Sequence, residues 1–372
     1  MVYVETLVMG LGAMGSAALY HLARQGAKPV GIDQYDVGHT FGSSHGHSRV
    51  FRTFYHDSLY AALAEAALPR WRELESLSKT RLLILNGAIF FAKPGSERFD
   101  QYVRVLDESG TPFELLSPSQ VANRFPVLQP PADVDVCYTP RAGFLDANRT
   151  VQTHVSQALR LGATIHNGVR VLHIDPSRNS PKIETEDGWY KCDRLVLTPG
   201  PWTPQPLADI SIPLRVTRQQ KFYFQPHQTS PYEPDILPVY ADFDTQFYGF
   251  PYYGPGIKVA DDTHGEYTTP DKIDRSLDAQ KQTQLQAWLE AIMPGADFSF
   301  SSGATCMYTV TPDLDFLIGA HPHNPNILVG AGFSGHGFKF STLIGLMLAE
   351  LATQGTTTYP IERFRLDRFH EV

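Results

Sequence analysis

Residues 3–15 read Tyr3-Val4-Glu5-Thr6-Leu7-Val8-Met9-Gly10-Leu11-Gly12-Ala13-Met14-Gly15. The first seven of these alternate loosely between apolar and polar side chains and end at a glycine, which is typical of a buried strand. The three glycines form the pattern G-x-G-x-x-G, which permits a tight turn and a close approach of the backbone to a ligand. Residues 13–24 carry small and apolar side chains at helical spacing, and residues 29–33 form a second strand pattern. The segment therefore predicts a βαβ unit.

A carboxylate, Asp33, ends the second strand about 20 residues after the turn. There it can accept hydrogen bonds from ribose hydroxyls, while a pyrophosphate meets the N-terminus of the helix. The alternative is a glycine-rich turn that packs the helix on the sheet without a ligand. Because strand, turn, helix and acid are in register, we predict a dinucleotide site at Gly10, Gly12, Gly15 and Asp33. This motif alone leaves NAD and FAD both open.

The rest of the chain alternates helical and strand patterns, and 372 residues exceed the usual size of one domain. Helical patterns cover residues 57–77 (interrupted by Pro69), 149–161, 274–292 and 338–351. Strand patterns cover residues 82–85, 195–200 and 220–224. We predict an α/β (α+β) fold, in which a Rossmann-type nucleotide-binding domain carries an inserted, mostly antiparallel β-sheet substrate domain. The predicted ranges are 1–80, 145–212 and 311–372 for the first domain, and 81–144 and 213–310 for the second.

Composition narrows the class of protein. The net charge of −8 argues against a nucleic-acid partner, which favours a basic face. No apolar run approaches the roughly 18 residues of a membrane span, and the N-terminus lacks a signal-peptide pattern. The three cysteines, Cys137, Cys192 and Cys306, are odd in number and far apart, which argues for a reducing, cytoplasmic setting without a disulfide framework. We interpret Cys137 and Cys192 as structural thiols.

Residues 42–52, Gly42-Ser43-Ser44-His45-Gly46-His47-Ser48-Arg49-Val50-Phe51-Arg52, allow three interpretations. His45 and His47 are possible metal ligands, but a His-x-His pair on a Gly/Ser loop without nearby acids is a weak metal signal. The loop is alternatively a solvated connection. In the third interpretation its backbone amides hold a cofactor, and Arg49 and Arg52 are directed at anions.

The C-terminal part contains Cys306-Met307-Tyr308-Thr309-Val310-Thr311-Pro312-Asp313 and then a glycine-rich stretch over residues 330–339. A lone cysteine is most often a small buried apolar residue. A serine-hydrolase elbow around Ser334 is excluded, because His336 stands where G-x-S-x-G requires glycine. We predict that residues 335–337 begin the last helix and direct free amides at negative charge. Lys339 then lies one turn further on, unless it is a surface lysine.

Together these segments resemble the monomeric sarcosine oxidase and N-methyltryptophan oxidase family of flavoenzymes, in the D-amino acid oxidase-like superfamily. Residues 248–251, Tyr-Gly-Phe-Pro, and 256–259, Gly-Ile-Lys-Val, add to this resemblance, which extends over nearly the whole chain. It implies FAD, bonded covalently through the sulfur of Cys306 to the flavin 8α-methyl carbon. It also implies a set of further cofactor contacts: Gly42, Ser43, Ser44, Val169, Gly200, Trp202, Gly335, His336, Gly337, Phe338 and Lys339.

The resemblance also implies catalytic roles. Arg49 lies against the flavin, and Arg52 with Lys339 binds the substrate carboxylate. Lys258 is the site of O2 activation, where a fixed ammonium in a dry pocket stabilises superoxide. Tyr248 and Tyr308 form aromatic walls near the substrate.

One position departs from the pattern. Four residues after the lysine, the sarcosine and N-methyltryptophan enzymes carry a histidine, whereas this chain has Asp262. Fructosyl amino acid oxidases resemble the chain here, with an acidic residue that binds sugar hydroxyls. His264 can replace the missing histidine only if the loop shifts. The aspartate at this position leaves the expected reaction type unchanged, but it allows more than one class of substrate.

The expected function is oxidative demethylation of sarcosine-like N-methyl amino acids by a monomeric FAD enzyme, which yields amino acid, formaldehyde and H2O2. The expected partners are the N-substituted amino acid and O2, with no nucleic acid, membrane or metal. Alternatives are an oxidase of fructosyl amino acids or L-pipecolate, and a flavin dehydrogenase with a non-oxygen acceptor. A tRNA-modifying or regulatory relative is a further alternative, which the acidic charge opposes.

Overall fold

The structure is a computed structural model that describes residues 1–55, 57–176, 180–210 and 212–369. Its helices are α1 (Ala13–Arg24), α2 (Ser58–Ser78), α3 (Glu97–Glu108), α4 (Pro118–Arg124), α5 (Ala147–Arg160), α6 (Ala279–Ile292) and α7 (Ser341–Gln354). Its strands are β1 (Val2–Met9), β2 (Val30–Ile32), β3 (Arg49–Arg52), β4 (Leu83–Ile84), β5 (Ala88–Ala92), β6 (Glu114–Leu116), β7 (Asp135–Thr139), β8 (Ala142–Leu145), β9 (Thr164–His166), β10 (Val171–Asp175), β11 (Lys182–Thr185), β12 (Gly188–Leu197), β13 (Arg215–Gln225), β14 (Val239–Asp242), β15 (Phe247–Tyr253), β16 (Gly256–Asp261), β17 (Tyr267–Thr268), β18 (Ser299–Val310), β19 (Leu317–His321) and β20 (Asn324–Ala331).

The first sheet has eight strands around a parallel centre. Strands β9, β2, β1, β12 and β20 lie side by side and pair in parallel, so segments from the start, middle and end of the chain meet in one layer. Strands β10, β11 and β19 extend it with antiparallel pairs. Parallel strands of this kind require helical crossovers, and α1 provides the crossover between β1 and β2. The predicted βαβ unit is therefore present.

Helix α1 packs against α5 and α7 and is buried along almost its whole length. Its four alanines and its one glycine, Gly15, carry little or no side chain, and this makes the close contact possible. Gly15 in its first turn is part of the same fit, because a Cβ there would lie 1.8 Å from the carbonyl oxygen of Gly10. The third glycine of the motif thus keeps the helix against the preceding turn.

The second sheet has nine strands in the order β17, β13, β16, β15, β14, β5, β7, β6, with β18 also paired to β13. Every pair is antiparallel except β14 with β5. A third, three-stranded antiparallel sheet joins β3, β8 and β4. The first-sheet strands fall within residues 1–80, 145–212 and 311–372, and the second-sheet strands within 81–144 and 213–310. We propose the division into two domains on this basis.

Helix boundaries differ from the sequence patterns where a capping residue determines the end. Helix α6 begins at Ala279, five residues later than the pattern, because the Asp278 side chain accepts the amides of Gln280 and Lys281. Helix α2 continues through Pro69 to Ser78, although proline cannot donate a backbone hydrogen bond. The last α-helix begins at Ser341, after a short 3₁₀ turn over residues 338–340, so residues 335–337 do not begin it.

In the described part of the chain, no helix combines the length and apolar character needed to cross a bilayer. The three cysteines are all free thiols; Cys137 and Cys192 are buried, and Cys306 is partly exposed.

Candidate active site

A cavity of about 890 Å³ lies between the two large sheets and contains the predicted site. All of the predicted site residues line it except Gly15, which lies behind the turn. The glycine turn and Asp33 form one part of its wall. Elsewhere the wall includes Cys306 and the cations Arg49, Arg52, Lys258 and Lys339. The cavity therefore joins a dinucleotide-type turn to a cluster of cations and aromatic side chains.

The turn between β1 and α1 is held by side chains from other segments. One carboxylate oxygen of Asp33 accepts the Leu11 amide at 2.7 Å, and the other accepts the Tyr35 amide at 3.0 Å. The Ser44 hydroxyl accepts the Ala13 amide at 2.9 Å. A Cβ on Gly12 would lie 2.9 Å from this hydroxyl, so only glycine leaves the backbone open here. The predicted bond from Asp33 to ribose stays a prediction.

The loop over residues 42–49 is folded around the guanidinium of Arg49. This group donates to the carbonyl oxygens of Ser43 (2.9 Å), His45 (2.7 Å) and Ser48 (2.9 Å). The Ser43 hydroxyl donates to the Met307 carbonyl at 2.6 Å, which ties the loop to the strand of Cys306. Within the described residues, no group of three or more His, Cys, Asp or Glu side chains is arranged to hold a metal ion.

Arg52 and Lys339 share an aromatic partner at one end of the cation cluster. The guanidinium carbon of Arg52 lies 4.7 Å from the ring centre of Tyr55, and the Lys339 Nζ lies 5.0 Å from the same centre. Lys339 is buried and donates to the Tyr55 hydroxyl and to the His336 carbonyl. Burial, followed by the charge of Arg52, holds the pKa of Lys339 well below its usual range. Lys339 is therefore not a surface lysine.

Lys258 belongs to a separate part of the cluster, on β16. Its Nζ donates to the Ser48 carbonyl at 2.9 Å and lies 4.3 Å from the centre of the Phe250 ring. The side chain is buried, with 4% of its surface exposed. Burial, followed by the charges of Arg49 and Lys221, holds the pKa of Lys258 well below its usual range.

Cys306 lies on β18, opposite Gln219 of β13, and is one of the residues that line the cavity. Tyr308, two residues on, packs closely on Gly335, where a Cβ would lie 2.6 Å from the tyrosine ring. Tyr248, on β15, is half-buried and also lines the cavity. The structure thus brings a partly exposed thiol and two tyrosines to the same wall as the cations.

Residues 335–337 form a turn rather than a helix start, and this changes what their amides do. The His336 amide donates to the Phe333 carbonyl at 3.0 Å, so it is not the free donor that the sequence suggested. The Phe340 amide donates to the Gly337 carbonyl at 2.9 Å, and this bond closes the 3₁₀ turn over residues 338–340. The residues still line the cavity, but as part of a turn rather than as a helix terminus.

Asp262 follows the end of β16, where it is half-exposed. Its carboxylate lies 3.2 Å from the Arg98 guanidinium, at the start of α3. Arg98 also stands 4.6 Å from the centre of the Phe243 ring, and all three side chains line the cavity. The negative charge at this position therefore has a cationic partner, which the sequence did not indicate.

No sequence motif indicated three of the cations that line the cavity, Arg98, Arg170 and Lys221. Arg98 lies on a helix that carried no motif. Lys221 follows two glutamines in β13, a polar run that suggests an exposed strand. Only the pairing of β13 with β18 and β16 shows that this run is buried.

Comparisons with known proteins agree with the fold. The family model described as FAD dependent oxidoreductase (DAO) matches residues 5–351. Monomeric sarcosine oxidase of Streptomyces avermitilis is 35% identical over 369 residues, which span 97% of this chain and 96% of that protein. N-methyl-L-tryptophan oxidase of Yersinia pestis is 27% identical and is matched over 98% of this chain and 99% of its own length. The solved structure of NikD, an unusual amino acid oxidase essential for nikkomycin biosynthesis, superposes with a TM-score of 0.88 at 23% identity, covering 98% of both chains.

Proposed function

The chain belongs to the family of FAD dependent oxidoreductases, and from that premise we propose that it is an oxidase of N-methyl amino acids. Its reaction is the conversion of a sarcosine-like secondary amine, O2 and water into the free amino acid, formaldehyde and H2O2. The observation that carries the proposal is one cavity, in which the dinucleotide turn leads to a partly buried arginine beside a buried lysine and to a separate buried lysine.

The residues of the cavity fit FAD. Gly12 leaves the backbone open at the turn, and Asp33 presents a carboxylate beside it. The far end offers cations and aromatic rings suited to a flavin and an anionic substrate. Bound FAD would accept a hydride equivalent from the amine and transfer the electrons to O2. The residues we propose to hold it include Gly10, Gly12, Asp33, Ser44 and Arg49, together with the other predicted contacts that line the cavity.

Arg52 and Lys339 bind the substrate carboxylate in this proposal. Two cations around one aromatic ring form a site for a small anion, and a charge-assisted pair fixes its orientation. A bound carboxylate also stabilises the charged form of Lys339, whose pKa burial lowers. Tyr248 and Tyr308 limit the space and exclude water. The amine must be neutral to donate its hydride equivalent, so turnover rises with pH until the cations lose their charge.

Lys258 serves the oxygen half-reaction. Its Nζ is fixed by the Ser48 carbonyl and is shielded from water, so its charged form strongly stabilises a negative charge that develops on O2. That negative charge in turn favours the charged form of Lys258, whose pKa burial lowers. Electron transfer to O2 is the step that this cation accelerates.

We further propose a covalent 8α-S-cysteinyl link between Cys306 and FAD, since this thiol is partly exposed in the cavity wall whereas Cys137 and Cys192 are buried. We also propose that the protein acts as a monomer in the cytoplasm. The free thiols fit a reducing compartment, and the relative from Streptomyces avermitilis is named as monomeric.

A second candidate substrate class follows from Asp262. A carboxylate near the cavity mouth fits an N-substituent with hydroxyl groups, such as the sugar of a fructosyl amino acid, better than a bare methyl group. L-Pipecolate is a third candidate. A dehydrogenase with a non-oxygen acceptor is the main alternative to an oxidase.

A substrate panel measured by peroxide release separates these functions. Sarcosine and other N-methyl amino acids should reduce the flavin and release one H2O2 per turnover in air. Flavin reduction without peroxide would instead identify a dehydrogenase. A higher activity with a fructosyl amino acid than with sarcosine would identify fructosyl amino acids as the substrate class.

The variant Lys258→Met tests the oxygen site. We expect reoxidation of the reduced enzyme by O2 to slow by at least about 100-fold, the usual scale for loss of one electrostatic group. Reduction by the amine, measured anaerobically by stopped flow, should change far less. An equal loss in both half-reactions would remove Lys258 from the oxygen step.

A further inference from the structure

Lys221 is a buried lysine in the cavity wall that the proposed reaction does not use. It lies on β13 with 4% of its surface exposed. Its Nζ donates to the His45 carbonyl at 3.0 Å and lies 3.2 Å from the His45 Nδ1. It also packs against Gly46, where a Cβ would lie 2.6 Å from the Nζ. The ammonium is thus fixed against the loop that surrounds Arg49.

The partners of Lys221 do not neutralise its charge. In the described ranges no carboxylate forms an ion pair with it, and its hydrogen-bond partner His45 is neutral. Burial, followed by the charges of Lys221 and Arg49, lowers the pKa of His45 to about 2. A buried cation without a counter-ion is costly to the fold, so a lysine that only filled space would be replaced at lower cost by an apolar side chain.

Charged and titratable groups face Lys221 from each neighbouring segment. The loop contributes His45, His47 and Arg49; β16 contributes Lys258, and β18 contributes Cys306. Tyr223 is its neighbour on its own strand. Together with Lys221 itself, Arg49 and Lys258 give this wall three lysine or arginine side chains. This wall is therefore strongly positive and will stabilise negative charge in the cavity.

We propose that Lys221 sets the charge of the flavin site: it places a second buried ammonium near Lys258, raises the reduction potential of the bound flavin, and makes that potential depend on pH. The inference rests on the proposed FAD site. Reduction adds negative charge to the flavin, so a nearby cation favours the reduced form. Lys221 acts through this field and through Lys258, and it is a positioning residue rather than a catalytic one.

The direction of the pH dependence follows from the surroundings of Lys221. Burial, followed by the charge of Arg49, lowers the pKa of Lys221 to about 7. Below this pH the ammonium is charged and supports flavin reduction. Above it Lys221 is neutral and no longer lowers the pKa of Lys258. The contribution to the potential is therefore present in acid and lost in base.

The test measures the flavin midpoint potential of the holoenzyme in the wild type, Lys221→Met and Lys221→Arg. At about pH 6 we expect Lys221→Met to lower the equilibrium constant for two-electron reduction at least tenfold, which is about 30 mV. At about pH 9 the wild type and this variant should agree, because Lys221 is then neutral. Arg215→Gln is the matched control, since it removes an exposed cation of the same strand that does not line the cavity.

Lys221→Arg keeps its charge at both pH values. Its potential should therefore match the wild type at about pH 6 and exceed it at about pH 9. This comparison decides the question even if Lys221→Met fails to fold with flavin. Potentials that coincide in all variants at both pH values, or a difference that does not change with pH, would overturn the role of Lys221. Purified wild type without any flavin absorbance would overturn the proposed FAD site instead.

Discussion

Asp262 and Arg98 form an ion pair at the cavity edge, and this pair bears on which amine the enzyme accepts. The carboxylate repels a substrate carboxylate and attracts hydroxyl or ammonium groups, while Arg98 limits its free charge. Because both side chains are partly exposed, water screens the interaction and the effect on binding is modest.

The variant Asp262→Asn should lower the KM for sarcosine by about 2- to 5-fold, as expected for loss of one screened charge. The KM for a substrate with a hydroxylated N-substituent should rise instead. Steady-state peroxide assays with both substrates measure this. Glu266→Gln is the control, since Glu266 is exposed and does not line the cavity. Parallel changes for both substrates would show that Asp262 does not select between them.

Cys306 provides a direct colour test of the covalent link. Acid-precipitated wild type should give a yellow pellet, whereas Cys306→Ala should give a colourless pellet and a yellow supernatant. Cys192→Ala should behave as the wild type, because burial raises the pKa of that thiol to about 12 and keeps it unreactive. A yellow pellet from Cys306→Ala would assign the link to another residue.

At the residue scale, a site residue could be predicted from the sequence only where it stands in a local motif. Arg49, Arg52, Lys258 and Lys339 stand in segments with recognisable neighbours, and all four line the cavity. Lys221 has no such motif. Which face of β13 meets the cavity depends on its pairing with β18, a contact between residues far apart in the sequence.

Helix α2 is fixed at its start by Asp57, which has two functions. Its carboxylate accepts the amides of Leu59 (3.0 Å) and Tyr60 (3.2 Å), and it also pairs with Arg363 near the end of the chain. The cap thus joins the beginning of α2 to the C-terminal segment. This helix carries Trp71, whose indole donates to the Lys339 carbonyl at 2.8 Å.

Removal of the cap by Asp57→Ala should lower the free energy of unfolding by about 1–2 kcal/mol. Asp57→Asn keeps a capping oxygen and loses only the exposed ion pair. This variant should therefore lower the free energy of unfolding by less than about 1 kcal/mol. Denaturant unfolding of both variants measures the difference. Equal losses would mean that the ion pair, not the cap, stabilises this end.

At the element scale, the sequence patterns located most helices and missed their exact ends. Asp278 and Asp146 are capping residues whose side chains determine where α6 and α5 begin. The patterns followed apolar spacing and did not weigh these caps. The turn over residues 335–337 was misassigned as a helix start because glycines near a helix do not distinguish a turn from an N-terminus.

Across the whole molecule, buried lysines should make stability increase with pH. Burial lowers the pKa of Lys221 from 10.5 to about 7, and it lowers those of Lys258 and Lys339 as well. Between about pH 7 and pH 10.5, Lys221 is protonated in the unfolded chain and neutral in the folded one. The unfolded chain therefore binds more protons, and the free energy of unfolding rises with pH. The stabilisation is gained above about pH 7 and lost as pH falls toward it.

In Lys221→Met the free energy of unfolding should rise less steeply with pH than in the wild type. The difference in slope should be up to about 1.4 kcal/mol per pH unit, the contribution of one proton. Urea unfolding between about pH 7 and about pH 10 measures the slope. Arg215→Gln should leave it unchanged, because an exposed arginine keeps its charge in both states. A slope that is the same in the wild type and Lys221→Met would show that Lys221 titrates normally.

The pairing of β1, β12 and β20 in one sheet has a consequence for synthesis of the protein. The turn at Gly12 leaves the ribosome early, whereas Cys306 and Lys339 belong to the final fifth or so of the chain. A nascent polypeptide therefore has one wall of the cavity long before it has the other. Cofactor loading is accordingly a late event in biogenesis, and a C-terminally truncated product would accumulate without colour.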